Sequence, residues 1–226
     1  MIKINLLFFI LLFTLQIGIC QHHENDSDKS SVNDYMLQTS QEKLAKVFDS
    51  PERDKWQKPD EVIKFLGEIE DKTIVDVGSG SGYFSIRLAL AGAKVIAADI
   101  DPEFLQIIEK KQKELNIDQD ELKTVRIDEN KLNIDAHSAN IVFLVNAYHH
   151  ISDRVNYFSS VNSTLKENGK IVIVDFYKKT LPVGPPKNHK ISKEEVLKEL
   201  KEAGYENIEI NTELLEYQYI ITAQKY

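Results

Sequence analysis

The most constraining segment of this sequence is a glycine-rich stretch that directly follows a short β-branched run. The run, residues 73–77, reads Thr-Ile-Val-Asp-Val, and residues 78–82 read Gly-Ser-Gly-Ser-Gly. A helical pattern begins at Tyr83. Alternate glycines let the backbone turn tightly and approach a ligand without a Cβ in the way, and the first turn of a helix offers free N–H groups to an anion. A plain connection needs one glycine, so the segment predicts a strand, a ligand-binding loop and a helix.

Short apolar runs alternate with amphipathic stretches from Leu44 onward. The runs predict strands at residues 73–77, 94–98, 122–127, 141–145 and 170–175. The amphipathic stretches predict helices at residues 83–91, 102–115, 154–165 and 192–203. Strands and helices that alternate in this way predict an α/β fold, a doubly wound parallel sheet with helices on both faces.

The end of the chain breaks this alternation. Residues 207–214 and 217–225 are both strand-like, and only Leu215 and Glu216 separate them. Two residues leave no room for a crossover helix, so the two strands are expected to pair as an antiparallel terminal hairpin.

The N-terminus has the pattern of a secretory signal peptide. Lys3 supplies a positive charge, residues 6–13 are an unbroken apolar run, and Cys20 precedes a polar stretch. Cleavage after Cys20 is our first interpretation, because a lipoprotein cut before it would need a small residue where Ile19 stands. The alternative is an uncleaved membrane anchor, since residues 4–20 are marginally long enough to span a bilayer. We therefore expect an exported protein, periplasmic or secreted, or else a membrane-anchored one; N-terminal sequencing of the mature protein distinguishes these forms.

Composition limits the partners of the mature chain. The 226 residues carry a formal charge of −8, which disfavours nucleic acid and anionic membranes as partners. Membrane contact is therefore expected only through an uncleaved or lipidated N-terminus. Removing residues 1–20 takes away the only cysteine, so disulfides and thiol-bound metalloids are excluded.

Residues 21–40 are polar and predict a linker, and residues 41–226 predict one domain. We expect no metal site and interpret the pair His22 and His23 as incidental.

Acidic residues follow two of the predicted strands: Asp99 and Asp101 follow the second, and Asp128 follows the third. Asp99 stands at the end of the second, beside the glycine loop of a doubly wound sheet, where it can accept both hydroxyls of a ribose. Asp101 precedes Pro102 and is interpreted as a helix N-cap. A nicotinamide oxidoreductase is a weaker alternative, because its fingerprint requires a glycine where Tyr83 stands.

These motifs together resemble those of class I S-adenosylmethionine-dependent methyltransferases, and in particular small bacterial ones. The matching segments, in order, are residues 75–85, 98–102, 128 and 146–150. The resemblance implies a Rossmann-like sheet of seven strands that ends in an antiparallel hairpin. It also implies S-adenosyl-L-methionine as cofactor, held by Asp76, Gly78, Ser79, Gly80, Gly82, Asp99, Asp128 and Asn146. Within this set Asp76 would lie near the amino-acid end, Asp99 would hold the ribose and Asp128 would face the adenine.

Two further segments resemble parts of the same bacterial group. The first is residues 53–59, which contain Arg53, Trp56 and Gln57 and would fold over the cofactor. The alternative is that Trp56 is a packing anchor ahead of a helix that starts at Pro59. The second is the proline-rich loop of residues 176–189, which would line the acceptor pocket. The alternative is that this loop is only a rigid connection.

The function we expect is methyl transfer to a small-molecule, possibly lipid-like, acceptor. Displacement at a sulfonium needs mainly alignment, and a base is required only if the acceptor loses a proton. His149 and His150, at the end of the fourth strand, are the candidate catalytic bases. The alternative is an exported, non-catalytic protein that binds a cofactor or ligand. The oligomeric state stays open.

Overall fold

The computed structural model describes residues 39–225. The predicted signal peptide, residues 1–20, and most of the predicted linker lie outside the described residues. In the part of the chain that is described, no helix is both long and apolar enough to cross a membrane.

Seven strands form one sheet in the order β3-β2-β1-β4-β5-β7-β6. They are β1 (Thr73–Val77), β2 (Lys94–Asp99), β3 (Leu122–Arg126), β4 (Ala139–Val145), β5 (Leu165–Phe176), β6 (Tyr205–Asn211) and β7 (Gln218–Lys225). Strands β1 to β5 are mutually parallel, and β7 is antiparallel to both β5 and β6. The predicted seven-stranded α/β sheet with a terminal antiparallel hairpin is therefore confirmed.

Seven α-helices surround the sheet in the described residues. They are α1 (Gln41–Phe48), α2 (Pro51–Gln57), α3 (Pro59–Phe65), α4 (Tyr83–Leu90), α5 (Pro102–Glu114), α6 (Arg154–Val161) and α7 (Lys193–Glu202), with 3₁₀ turns at Tyr148–His150 and Lys187–His189. Helix α5 begins as expected, because the Asp101 carboxylate accepts the N–H of Glu103 and Pro102 occupies the first helical position.

Alternate residues of each buried strand enter two separate cores. On one face, Ile74 and Phe143 pack with helices α3, α4 and α5. On the other, Val75 and Leu144 pack with α6 and α7. Because side chains alternate across a strand, a run of consecutive buried residues is possible only where helices cover both faces.

Several element boundaries differ from the sequence-based prediction, most clearly at the end of α6 and in the terminal hairpin. The helix predicted for residues 154–165 ends at Val161, because buried Leu165 instead starts β5 and pairs with Ala139. The hairpin connection spans residues 212–217 rather than two residues. Its strand ends early because the Asn211 side chain accepts the N–H groups of Glu213 and Leu214, which turns the chain.

The carboxyl ends of β2, β1 and β4 lie side by side at the point where the winding of the sheet reverses. In open α/β sheets this crevice is where ligands bind. The glycine loop after β1, Asp99 at the end of β2 and Asn146 after β4 are therefore gathered at one edge.

Candidate functional site

The glycine loop is held against the end of β2 by backbone hydrogen bonds. The N–H groups of Gly78 and Ser79 both donate to the carbonyl of Ala98, at 2.8 and 3.2 Å. Gly78 has φ +69°, and a Cβ on it would lie 2.7 Å from the Cβ of Ala147. A side chain at Gly78 would strain the backbone and would overlap with Ala147. This explains why glycine occupies the first position of the loop. Gly80 and Gly82 also have positive φ, and Gly82 is the N-cap of α4.

Asp99 fixes the middle of the loop. Its carboxylate accepts the N–H of Gly80 at 2.7 Å and the N–H of Asp101 at 3.0 Å. Burial raises the pKa of Asp99, and these two backbone hydrogen bonds act in the opposite direction. A carboxylate has about four acceptor positions, so Asp99 keeps capacity for a hydroxyl-bearing ligand while it holds the loop.

Asp76 lies at the base of the loop and is almost fully buried. The hydroxyl of Ser85, in the first turn of α4, donates to its carboxylate at 2.5 Å. Burial raises the pKa of Asp76 to about 6, and the negative charge of Asp99 contributes to the increase. The site therefore contains an acid whose ionised form is costly without a cation beside it.

Residues 41–58, which we call the N-terminal arm, pack onto the glycine loop. The Phe48 ring lies 3.5 Å from where a Cβ of Gly80 would stand. The Asp49 carboxylate accepts the Ser81 hydroxyl at 2.8 Å and forms an ion pair with Lys111 at 2.6 Å. The arm is thus part of the site and is not a separate appendage.

Arg53 of the arm stacks on the first residue of helix α4. Its guanidinium carbon lies 3.9 Å from the centroid of the Tyr83 ring. One terminal nitrogen donates to the carbonyl of Phe48 at 3.1 Å, and the other lies 3.4 Å from Oε1 of Gln57. Its Nε is buried and has no hydrogen-bond partner among the described residues.

Three buried or half-buried amides close a ring beneath the arm. Gln57 donates to Gln218 at 2.7 Å, Gln218 donates to Asn146, and Asn146 donates back to Gln57 at 3.3 Å. The ring joins the arm, the loop after β4 and the start of β7. Asn146 was predicted for this site, whereas Gln218 was predicted only as part of a strand-like run. The available signal was a glutamine near the start of an otherwise largely apolar strand.

The two candidate histidines lie beside Asp175 at the end of β5. Nδ1 of His149 is 2.9 Å from the Asp175 carboxylate, and both side chains are almost completely buried. The rings of His149 and His150 lie 4.3 Å apart. Burial and the neighbouring His149 lower the pKa of His150 to about 4, so His150 is neutral near pH 7. Asp175 was missed in the sequence, although it is an acid at the end of a strand adjacent to β4.

Asp128 lies apart from this cluster, in an exposed turn after β3. Its carboxylate accepts the side-chain amide of Asn133 at 2.6 Å. In residues 39–225 it makes no hydrogen bond to the glycine loop, and contact with an adenine stays a prediction.

The loop after β5 folds back onto Phe176. A Cβ on Gly184 would lie 2.7 Å from the Phe176 ring, and Lys190 donates to the carbonyl of Lys179 at 3.0 Å. The Trp56 ring packs against Phe176 at 5.7 Å between centroids. Trp56 therefore does act as a packing anchor, and it joins the arm to an aromatic wall next to Asp175.

A family model described as Methyltransferase domain matches residues 75–173. Over these residues the chain is similar to methyltransferase domains. The match begins in β1 and ends in β5, so it includes the glycine loop, Asp99 and both histidines.

The curated relatives that the chain matches carry two different names, one a carboxymethyltransferase and one a methyltransferase. The chain is 26% identical over 148 residues to a tRNA U34 carboxymethyltransferase of Marinobacter nauticus, which is 66% of this chain and 43% of the relative. It is 28% identical over 114 residues to a demethylmenaquinone methyltransferase of Tropheryma whipplei, or 50% of this chain and 45% of the relative. The chain thus spans less than half the length of these relatives.

Solved structures agree on the fold. A SAM-dependent methyltransferase from Aquifex aeolicus aligns with TM-score 0.74 and 24% identity, over 83% of this chain and all of that one. A magnesium protoporphyrin IX methyltransferase from Synechocystis, solved with SAH, aligns with TM-score 0.59 and 19% identity, over 75% of this chain and 83% of that one.

S-adenosylmethionine is the cofactor that a methyltransferase domain implies, and the residues of this site fit it. The Ser79 hydroxyl is buried and has no partner among the described residues, so the glycine loop contains a polar atom that still requires a ligand. Asp99 has free acceptor capacity beside it, and Asp76 is a buried acid that a ligand's ammonium would stabilise.

Substituting Gly78 by alanine tests the close approach between the loop and Ala147. Gly67 provides a matched control, because it has φ +88° but no atom within 4 Å of an added Cβ. We expect Gly67→Ala to lower the free energy of unfolding by about 1 kcal/mol through backbone strain alone. Gly78→Ala should cost more, and Ala147→Gly should recover the excess. Urea unfolding measures the three single variants and the double variant that combines Gly78→Ala with Ala147→Gly. Equal losses for the two alanine substitutions would contradict the overlap.

Substituting Asp76 by asparagine tests the cost of the buried acid. Because the native pKa is raised to about 6, the folded state binds more protons than the unfolded state between about pH 4 and 6. The free energy of unfolding of the wild type therefore falls as pH rises through this window. A pKa difference of about two units corresponds to a fall of about 3 kcal/mol. We expect the stability of Asp76→Asn relative to wild type to increase by about that amount between pH 4 and 7. A difference that stays constant with pH in urea unfolding would contradict the raised pKa.

Proposed function

We propose that this protein is an S-adenosylmethionine-dependent methyltransferase whose acceptor is a small molecule. The observation that carries the proposal is the glycine loop fixed by Asp99, with the partnerless Ser79 hydroxyl beside it. The methyltransferase-domain match supports the reaction class.

The cofactor-binding residues are assigned by their positions at the crevice. Asp99 accepts the ribose hydroxyls, and Asp76 faces the amino-acid group of the cofactor. The backbone of the glycine loop lies along the cofactor at Gly78, Gly80 and Gly82. Asn146, held in the amide ring, borders the same edge. S-adenosylmethionine supplies a methyl group activated by its positively charged sulfur, so the chain has mainly to hold and align the two reactants.

His149 is the proposed base for acceptors that must lose a proton. Asp175 engages Nδ1, which orients the ring and leaves Nε2 as the nitrogen that accepts a proton. His150, kept neutral by burial, packs against the His149 ring and limits its movement.

Charge and the aromatic wall favour a small and partly apolar acceptor. The chain has a formal charge of −8, whereas proteins that bind RNA present basic surfaces. Trp56 and Phe176 form an apolar surface near Asp175. One curated relative, the demethylmenaquinone enzyme, is named for a small-molecule acceptor, and others are named for tRNA.

Calorimetry with S-adenosylhomocysteine tests the cofactor site. We expect wild type to bind and Asp99→Ala to bind at least about 10-fold more weakly, because it loses acceptors for the ribose and for the Gly80 N–H. Asp120→Ala, at an exposed aspartate, is the control and should bind as wild type does. Circular dichroism checks that each variant is folded. No binding by wild type, or unchanged binding by Asp99→Ala, would refute the proposal.

Methyl-labelled S-adenosylmethionine tests the acceptor class. The purified protein is incubated either with an organic extract of small molecules or with total tRNA. We expect label in the small molecules, reduced about 100-fold or more by His149→Gln, which lacks the base. His137→Gln, at an exposed histidine, should retain activity. Label in tRNA would overturn the small-molecule proposal, and full activity of His149→Gln would overturn the role of His149.

A further inference from the structure

The connection between β5 and α7 concentrates positive charge in one segment. Residues 177–190, which we call the basic loop, contain four lysines, one histidine and no acidic residue. The whole chain, in contrast, has 36 acidic residues against 28 basic ones. A local excess of positive charge in an acidic protein attracts anions to the surface that carries it.

The basic loop stays close to the end of β5, beside the candidate base. Phe176 is the last residue of β5, and Asp175 before it engages Nδ1 of His149. The loop returns to the Phe176 ring twice. A Cβ on Gly184 would lie 2.7 Å from the ring, and Nζ of Lys190 lies 5.5 Å from its centroid. The charges of the loop are therefore held at the edge of the sheet where His149 lies.

Lys190 is a buried cation at the C-terminal end of the basic loop. It is 1% exposed, and its Nζ donates to the carbonyl of Lys179 at 3.0 Å. Asp175 attracts Lys190 electrostatically, but the ion pair that the Asp175 carboxylate forms is with His149. Lys190 therefore ties the two ends of the loop together and adds a positive charge beneath it.

The lysines at the start of the loop differ in their partners. Lys178 forms an ion pair with Glu195 of α7 at 3.5 Å, which offsets its charge. Lys179 is exposed and its Nζ lies 5.1 Å from the centroid of the Tyr177 ring. Among residues 39–225 no carboxylate forms an ion pair with Lys179, so its charge faces solvent beside an aromatic ring.

A second exposed lysine lies near the candidate bases. Lys187 and His189 belong to one 3₁₀ turn. Burial lowers the pKa of His150, and the charges of His149 and His189 add to this effect. Because electrostatic effects fall with distance, His189 lies close to His150, and Lys187 stands in the same turn.

We propose that the methyl acceptor is a small molecule with an anionic group, a carboxylate or a phosphate, which the basic loop binds through Lys179 and Lys187. The inference rests on the proposed function, because it names the charge of the acceptor at the same site. The anionic group is held by the loop and is not the group that is methylated. A nucleic acid fits less well, because the positive charge is confined to one loop of a chain with formal charge −8.

Fractionation of the small-molecule extract tests the charge of the acceptor. Ion exchange at neutral pH separates the extract into anionic, neutral and cationic pools, and each pool is incubated with the full chain and methyl-labelled S-adenosylmethionine. We expect at least about 10-fold more label in the anionic pool than in either of the others. Treatment of that pool with alkaline phosphatase beforehand removes the label if the group is a phosphate and leaves it if the group is a carboxylate.

A double variant tests the lysines of the loop. Lys179→Gln combined with Lys187→Gln should raise the amount of anionic pool needed for half-maximal rate by about 10-fold and leave the maximal rate within about twofold. Added salt should raise this amount in wild type and change it little in the variant. Lys110→Gln combined with Lys113→Gln, at exposed lysines of α5, removes the same charge and should behave as wild type. Calorimetry should give both variants the wild-type affinity for S-adenosylhomocysteine.

The outcomes separate this inference from the proposed function. Label mainly in the neutral or cationic pool, or an unchanged half-maximal amount for the loop variant, would show that the inference is wrong while the proposed function stands. Label in tRNA, or in none of the three pools, would overturn the small-molecule acceptor and the inference together. If wild type binds no S-adenosylhomocysteine, the proposed function fails and the inference fails with it.

Discussion

The hydrogen bond from the Gly80 N–H to the Asp99 carboxylate joins the two parts on which the site depends. It ties the glycine loop after β1 to the end of β2, and the bonds from Gly78 and Ser79 to Ala98 complete the attachment. Because the loop is fixed in this way, helix α4 starts at a defined place and presents Ser85 to Asp76. The N-terminal arm then packs on a surface whose shape is already set.

The site concentrates groups that cost stability. Asp76 and Asp99 are buried acids with raised pKa values, and Arg53 is a cation without an ion pair in residues 39–225. The two hydrophobic cores, which cover both faces of the sheet, compensate for this cost. Such an arrangement is typical of sites that are completed by a charged ligand.

Much of the fold was predictable because its signals are local. The β-branched runs of β1 and β4 and the Asp101-Pro102 helix start depend on neighbouring residues, and all were placed correctly. The end of α6 and the hairpin connection were misplaced because they depend on distant contacts, such as the pairing of Leu165 with Ala139.

The site shows the same division between local and distant signals. Asp99 could be found from its motif. Gln218, Asp175 and the burial of Arg53 could not, because only the folded chain brings their partners together.

The most direct test of this account is a crystal structure of the full chain with S-adenosylhomocysteine. The ribose hydroxyls should lie on the Asp99 carboxylate, the adenosyl group against the glycine loop, and the amino-acid group beside Asp76. A ligand bound elsewhere on the chain, or one bound in this crevice without contact to Asp99, would contradict it.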